Sequence, residues 1–224
     1  MPTARETARP TQADTSSGGA APSPVRRPRR PAEETREDIL NTAENLFRTR
    51  GYGSVAIADI ATALGMSPAN VFKHFHTKTS LVDAISSRHI EKMVVRLGSL
   101  DTAKAAPGRL LDFVKQLMES HLRDLEENPH LFELVLLTAK DDLQCGHRYR
   151  DMLVAELSAI VEDGVAEGVY RVTDSRKAAN SAFLALACVL HPVMIANEKA
   201  DILATRCEDV VSLINAALQS PLAK

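Results

Sequence analysis

The sequence predicts an all-α protein: an N-terminal three-helix helix-turn-helix unit followed by a helical bundle, about nine helices in all and dimeric. Three observations predict it. The 224 residues are 45% hydrophobic and 25% charged, enough apolar material for one ordinary domain or two small ones. Apolar residues recur at helical spacing from Ile39 to Ala217. Glycines and prolines fall where such periodic stretches stop and start: Gly51, Gly65, Ser67-Pro68 and Asn128-Pro129.

Residues 1–31 precede that pattern and read as a disordered arm. They hold six of the eleven prolines and almost no large aliphatic side chain, too little apolar surface to offset chain entropy. Arg5, Arg9, Arg26, Arg27, Arg29 and Arg30 stand against Glu6 and Asp14, a net charge of +4. The last four arginines lie directly before the folded part, where they can track phosphates or enter a minor groove. A solvated tail without a role is the plain alternative.

Thr35-x-x-Asp38 has the form of a capping box, and Ile39, Leu40, Ala43, Leu46 and Phe47 follow at helical spacing until Gly51. A second short helix carries Ile57, Ile60, Ala61 and Leu64 on one face and ends at Gly65. Ser67 caps a third helix over 68–75, with Pro68 at the first position, where its missing N–H does no harm. The spacing turns Val71, Phe72 and Phe75 toward the core and leaves Asn70, Lys73 and His74 outward. Two short helices about a tight glycine turn, the second slim enough for a major groove about 12 Å wide, follow helix-turn-helix logic.

The run Ala43-x-x-Leu46-Phe47-x-x-x-Gly51-Tyr52, then Ile57-x-x-Ile60-Ala61-x-x-Leu64-Gly65-Met66-Ser67, then Val71-Phe72-x-x-Phe75-x-x-Lys78-x-x-Leu81, resembles the DNA-binding module of the TetR family of transcriptional regulators. The resemblance covers residues 35–85 without a gap. It implies a homodimer whose N-terminal domain binds DNA and whose variable helical C-terminal domain binds a small effector and dimerises. Carried over by position, it places Pro68, Ala69, Asn70, Phe72, Lys73 and His74 where family members reach bases and phosphates, with Ser67 at the head of that helix. Lys73 and Asn70 are the expected base readers. His74, Lys78 and the arginines of the arm are the expected phosphate contacts. The chain departs from the family at Phe72, where Tyr is commoner and its hydroxyl meets a phosphate. Val55, Ala56 and Ala58 stand where hydroxyl or basic residues are common, leaving Ser54 and backbone amides as local donors.

A long helix from about residue 78 to Gly98 links this module to the rest. A fifth helix over 108–127 carries Leu110, Leu111, Val114, Leu117, Met118, His121, Leu122 and Leu125 on one face, and Asn128-Pro129 stops it. A sixth spans 130–139, residues 140–146 read as a loop that includes Cys145-Gly146, and a seventh spans 147–167. The eighth, over 175–197, is apolar on most sides and should kink or break at Pro192. The ninth spans 201–219. A helix apolar nearly all round needs cover on every side, so helices eight and nine are expected to pair with those of a second copy. Met118, His121, Phe132 and Met152 are the candidate walls of an effector pocket, each also readable as plain core.

Charge divides by region into +4 for residues 1–31, −1 for 32–79 and −5 for 80–224, the last expected to serve effector binding and dimerisation away from DNA. Three scattered cysteines without CxxC spacing fit a reduced, cytoplasmic setting, and no stretch has the length of a membrane span. No nucleotide, metalloprotease, esterase or EF-hand motif is present, so no catalytic residue, cofactor or metal is implied. The competing readings are a helical-bundle enzyme or metalloprotein, and a DNA-binding regulator without an effector. The expected partners are a palindromic double-stranded operator, a second copy and a small molecule; no membrane is among them.

Overall fold

The computed structural model describes residues 31–97, 103–141 and 143–220; the arm with Arg26, Arg27, Arg29 and Arg30 lies outside the described residues. From Ala32 onward the chain forms one compact unit. Its described residues form eleven helices: α1 Ala32–Arg50, α2 Ile57–Ala63, α3 Pro68–His74, α4 Lys78–Leu97, α5 Ala106–Glu127, α6 Pro129–Lys140, α7 Gln144–Ala166, α8 Ser175–Ala185, α9 Ala187–Leu190, α10 Pro192–Asn197 and α11 Ala200–Gln219. No strand occurs among the described residues.

The two extra helices come from the single one expected over 175–197. Pro192 lacks an N–H and crowds the residue before it, so His191 leaves the helical region (φ −68°, ψ 131°) and the chain restarts as α10. His191 Nδ1 then accepts from the Val193 N–H at 3.3 Å, capping the new start. The break at Leu186 is milder, because that residue stays helical and its carbonyl still accepts from the Leu190 N–H at 2.9 Å.

Two other boundaries also move. α1 begins at Ala32, so Thr35 and Asp38 lie inside it; Glu33 and Glu34 occupy its first turn, favourable to the helix dipole. α7 begins at Gln144, which makes Cys145 and Gly146 helical instead of looped. Its N-terminus has no side-chain cap of its own, but the Cys145 N–H donates to Asp83 Oδ1 of α4 at 2.8 Å. A distant carboxylate thus satisfies a donor that a helix start leaves orphaned. Glu167 does the same for α5, accepting from the Ala106 N–H at 2.9 Å.

Apolar side chains gather in two cores. The first joins Ile39, Leu40 and Phe47 of α1, Ile60 of α2, Val71 and Phe75 around α3, Leu81 and Ile85 of α4, and Leu134 of α6. The second joins Leu110, Phe113 and Leu117 of α5 with Phe132, Leu153, Leu157, Val161, Leu203 and Val211 from α6, α7 and α11. α4 contributes to both, since Met93 belongs to the second. α6 does the same through Leu134 and Phe132, so displacement of either helix is felt in both cores.

Candidate functional site

α1 to α3 form a small platform that holds one helix face in solvent. Gly51 closes α1 with φ 77°, and Gly65 closes α2 with φ 62°, left-handed values that a side chain disfavours. Asp59 Oδ2 accepts from the Ala56 N–H at 2.7 Å at the start of α2. Ser67 Oγ accepts from the Asn70 N–H at 3.3 Å at the start of α3, as its position predicts. Val71 and Phe75, one turn apart, anchor α3 in the first core. Arg36 of α1 covers Phe75, its guanidinium 4.8 Å from the ring centre.

Of the three residues the spacing turns outward, Lys73 is exposed while Asn70 and His74 are half-buried; Pro68, Ala69, Ser67 and Ser54 are exposed as well. Phe72 corrects the sequence reading. It is 44% exposed instead of facing the core, because the buried stripe of a seven-residue helix is taken by Val71 and Phe75. Asn70 is partly engaged already, its side-chain amide donating to Met66 Sδ at 3.4 Å. The outward face of α3 therefore presents Ala69, Phe72 and Lys73 most openly.

Lys78 sits differently from its expected role at a phosphate. Its Nζ donates to the Tyr52 carbonyl oxygen and lies 3.9 Å from the centre of the Tyr52 ring. Burial lowers its pKa, with Asp59 opposing. Lys78 thus ties the head of α4 to the turn after α1. Thr77 and Ser80 cap α4 reciprocally: Thr77 Oγ1 accepts from the Ser80 N–H at 2.9 Å, and Ser80 Oγ accepts from the Thr77 N–H at 3.3 Å. Farther along α4, Arg88 donates to Glu37, Asn41 and Glu44 of α1 at 3.1, 2.9 and 2.8 Å.

A cavity of about 70 Å³ lies beside this clamp, among α4, α5, α6 and α7. Ser86, His89 and Met93 of α4, His121 of α5, Phe132 of α6 and Tyr149 of α7 line it. His121 Nε2 and the Tyr149 hydroxyl are 2.8 Å apart, and His89 Nε2 lies 2.8 Å from Asp124 Oδ2. Burial pushes His121 down to about 4, so the imidazole is neutral, and burial raises the Tyr149 phenol. Of the four pocket candidates, His121 and Phe132 are in this wall. Met118 is buried in the second core and Met152 packs against that core, so neither lines the cavity. Ser86, His89 and Tyr149 carried no local signal, since their partners lie on other helices.

Two family models match the chain: residues 39–85 match that of the bacterial regulatory proteins of the tetR family, and residues 106–211 that of a tetracycline-repressor-like C-terminal domain. The chain belongs to the TetR family of transcriptional regulators. Among curated TetR-type relatives, it is 39% identical to the HTH-type transcriptional regulator TtgR of Pseudomonas putida over 61 residues, 27% of this chain and 29% of TtgR. It is 29% identical to the HTH-type transcriptional activator FasR of Mycolicibacterium smegmatis over 113 residues, 47% of this chain and 51% of FasR. The matched stretches thus span under a third of TtgR and about half of FasR. A TetR-family regulator from Pectobacterium atrosepticum shares the fold with a TM-score of 0.66 at 21% identity, covering 88% of this chain and 100% of that one. RolR in complex with resorcinol does so with a TM-score of 0.59 at 17% identity, covering 86% and 97%.

The TetR-type body also carries exposed apolar side chains. Among the described residues the exposed large apolar side chains are Phe72, Val165, Leu184, Val193, Ile202 and Leu213, and the last four lie on α8, α10 and α11. Leu184 and Leu213 are 62% and 70% exposed. Among the described residues no helix is long and apolar enough to cross a membrane, and no cluster of His, Cys, Asp or Glu has the makings of a metal site.

Proposed function

We propose that this TetR-family member is a ligand-responsive repressor that binds a near-palindromic operator as a homodimer. Residues 32–79 serve as the reader, with one α3 per half-site in adjacent major grooves. Residues 80–224 dimerise through the outer faces of α8 to α11 and take the effector. The observation that carries this reading is the outward face of α3, where Ala69, Phe72 and Lys73 stand in solvent on a helix anchored by Val71 and Phe75. Lys73 and Asn70 meet base edges; Ser54, Ser67, Pro68 and His74 meet the backbone, and the arm arginines add phosphate contacts. Lys78 supports the reader from behind. An effector acts by favouring a dimer whose reading helices are wrongly spaced, a coupling typically of about 1–3 kcal/mol. Arg88 and Glu44 suit that coupling, since both line the cavity and together they tie α4 to α1.

The test is selection of bound DNA from a random pool by the full chain, followed by gel shifts with Lys73→Ala. A base-reading Lys73 loses about 1–3 kcal/mol of affinity on that change and relaxes preference at one position per half-site. Unchanged affinity and preference remove it from the reader.

A further inference from the structure

The cavity beside α4 carries chemistry that narrows what it can hold. Ser86 lines the cavity at 6% exposure, and its buried Oγ has no hydrogen-bond partner among the described residues. An unpaired buried hydroxyl is costly, and a ligand that bonds to it recovers that cost. Near it stand His121 and Tyr149, bonded to each other and both uncharged: burial holds the imidazole at about 4 and keeps the phenol protonated. The charged groups of the wall are paired with one another or exposed. Arg88 is paired with Glu37 and Glu44, His89 faces Asp124, and Lys92 is exposed. Ile85, Met93, Phe132 and Leu134 add apolar lining, and Asn128 and Thr138 add neutral polar groups.

Size sets the second limit. The cavity is about 70 Å³, while an engineered apolar cavity of about 150 Å³ takes benzene. A ring therefore needs Tyr149 to move. Tyr149, Val135, Thr138 and Gly146 also line a neighbouring groove of about 410 Å³ between α6, α7 and the α8–α10 segment. Tyr149 thus lines both spaces, and a ring that enters the cavity shifts it toward the groove and away from His121.

We propose that this cavity binds a neutral, ring-sized molecule bearing a hydroxyl, which bonds to Ser86 Oγ and displaces the Tyr149 hydroxyl from His121. The inference rests on the effector-responsive reading above and names the class of effector.

Calorimetric titration of the full chain at neutral pH with phenol, toluene and benzoate tests it. Phenol saturates one site per chain and binds about three- to tenfold tighter than toluene, the range one recovered hydrogen bond supports. Benzoate, which must bury a carboxylate, binds at least about tenfold more weakly than phenol. Ser86→Ala removes a single oxygen, leaves toluene binding intact and brings phenol to the level of toluene. Absence of saturable phenol binding, benzoate equal to or tighter than phenol, or a phenol preference that survives Ser86→Ala each overturns the proposal. DNA selection on the same preparation separates the two readings. Retention of a defined operator without phenol binding sinks the effector class alone. Selective phenol binding without any DNA retention keeps the site and sinks the regulator.

Discussion

Leu213 is the sharpest probe of the proposed dimer. It projects from α11 away from Leu203, Cys207, Val211, Ile214 and Leu218, the stripe that packs into the second core, and is 70% exposed in one chain. Full burial of a Leu side chain contributes about 1.5–3 kcal/mol, so covering the exposed part contributes roughly 1–2 kcal/mol. A two-fold interface counts each substitution twice, giving about 2–4 kcal/mol for Leu213→Ala, or a dimer constant weakened roughly thirtyfold to a thousandfold. Leu213→Asp goes further, because assembly would also bury two carboxylates without partners. Neither change touches the core, so circular dichroism and the helical content of the monomer should match the wild type. Sedimentation equilibrium across nanomolar to micromolar concentration reads the shift directly. Phe72→Ala serves as the control: it removes an exposed apolar side chain of similar character from α3 and should leave association unchanged. A wild type that sediments as a monomer at micromolar concentration, or a Leu213→Asp variant that dimerises as well as the wild type, refutes the placement of the interface.

Phe72→Tyr restores a hydroxyl on an exposed reading-helix position and should tighten operator binding by about 0.5–1.5 kcal/mol, with the salt slope unchanged because no charge is added; gel shifts across salt check both parts. Gly164→Ala places a Cβ 2.1 Å from Cδ2 of the buried Tyr170 ring, whose hydroxyl donates to Asn215 Oδ1 at 2.5 Å, so thermal denaturation should show a loss of about 2–4 kcal/mol. Burial pushes the Cys145 thiol and the Tyr170 phenol each up to about 12, above their ordinary values. The folded state therefore holds these protons more tightly than the unfolded chain, and stability is full below pH 9 and declines toward pH 12. Calorimetric melting temperatures that stay level from pH 8.5 to 11 would contradict those burials.

What could be read from the sequence and what could not divides by the distance along the chain over which each interaction acts. The reader's helix ends come from Gly51, Gly65 and the Ser67-Pro68 start, whose effects are confined to neighbouring residues, and there the reading and the structure agree within a residue or so. The orientation of Phe72 escaped because a seven-residue helix offers two apolar faces, and only the packing of Val71 and Phe75 selects one. α7 starts early because Asp83, 62 positions upstream, accepts from the Cys145 N–H. Lys78 looks like a phosphate ligand by position, yet its ammonium is occupied by the carbonyl of Tyr52, 26 residues before it. His121 and Tyr149 are separated by 28 residues, and Arg88 is 44 residues from Glu44. No periodicity or motif reports such pairings. The same holds for the charge: a whole-chain value of −2 speaks against DNA binding, while the regional values leave a near-neutral reader. Affinity in such a reader has to come from a few placed contacts, and placement is what Lys78, Asp59 and the Arg88 clamp supply. On the proposed reading, a ligand acting on α4, which carries both Lys78 and Arg88, would alter the reader without touching α3.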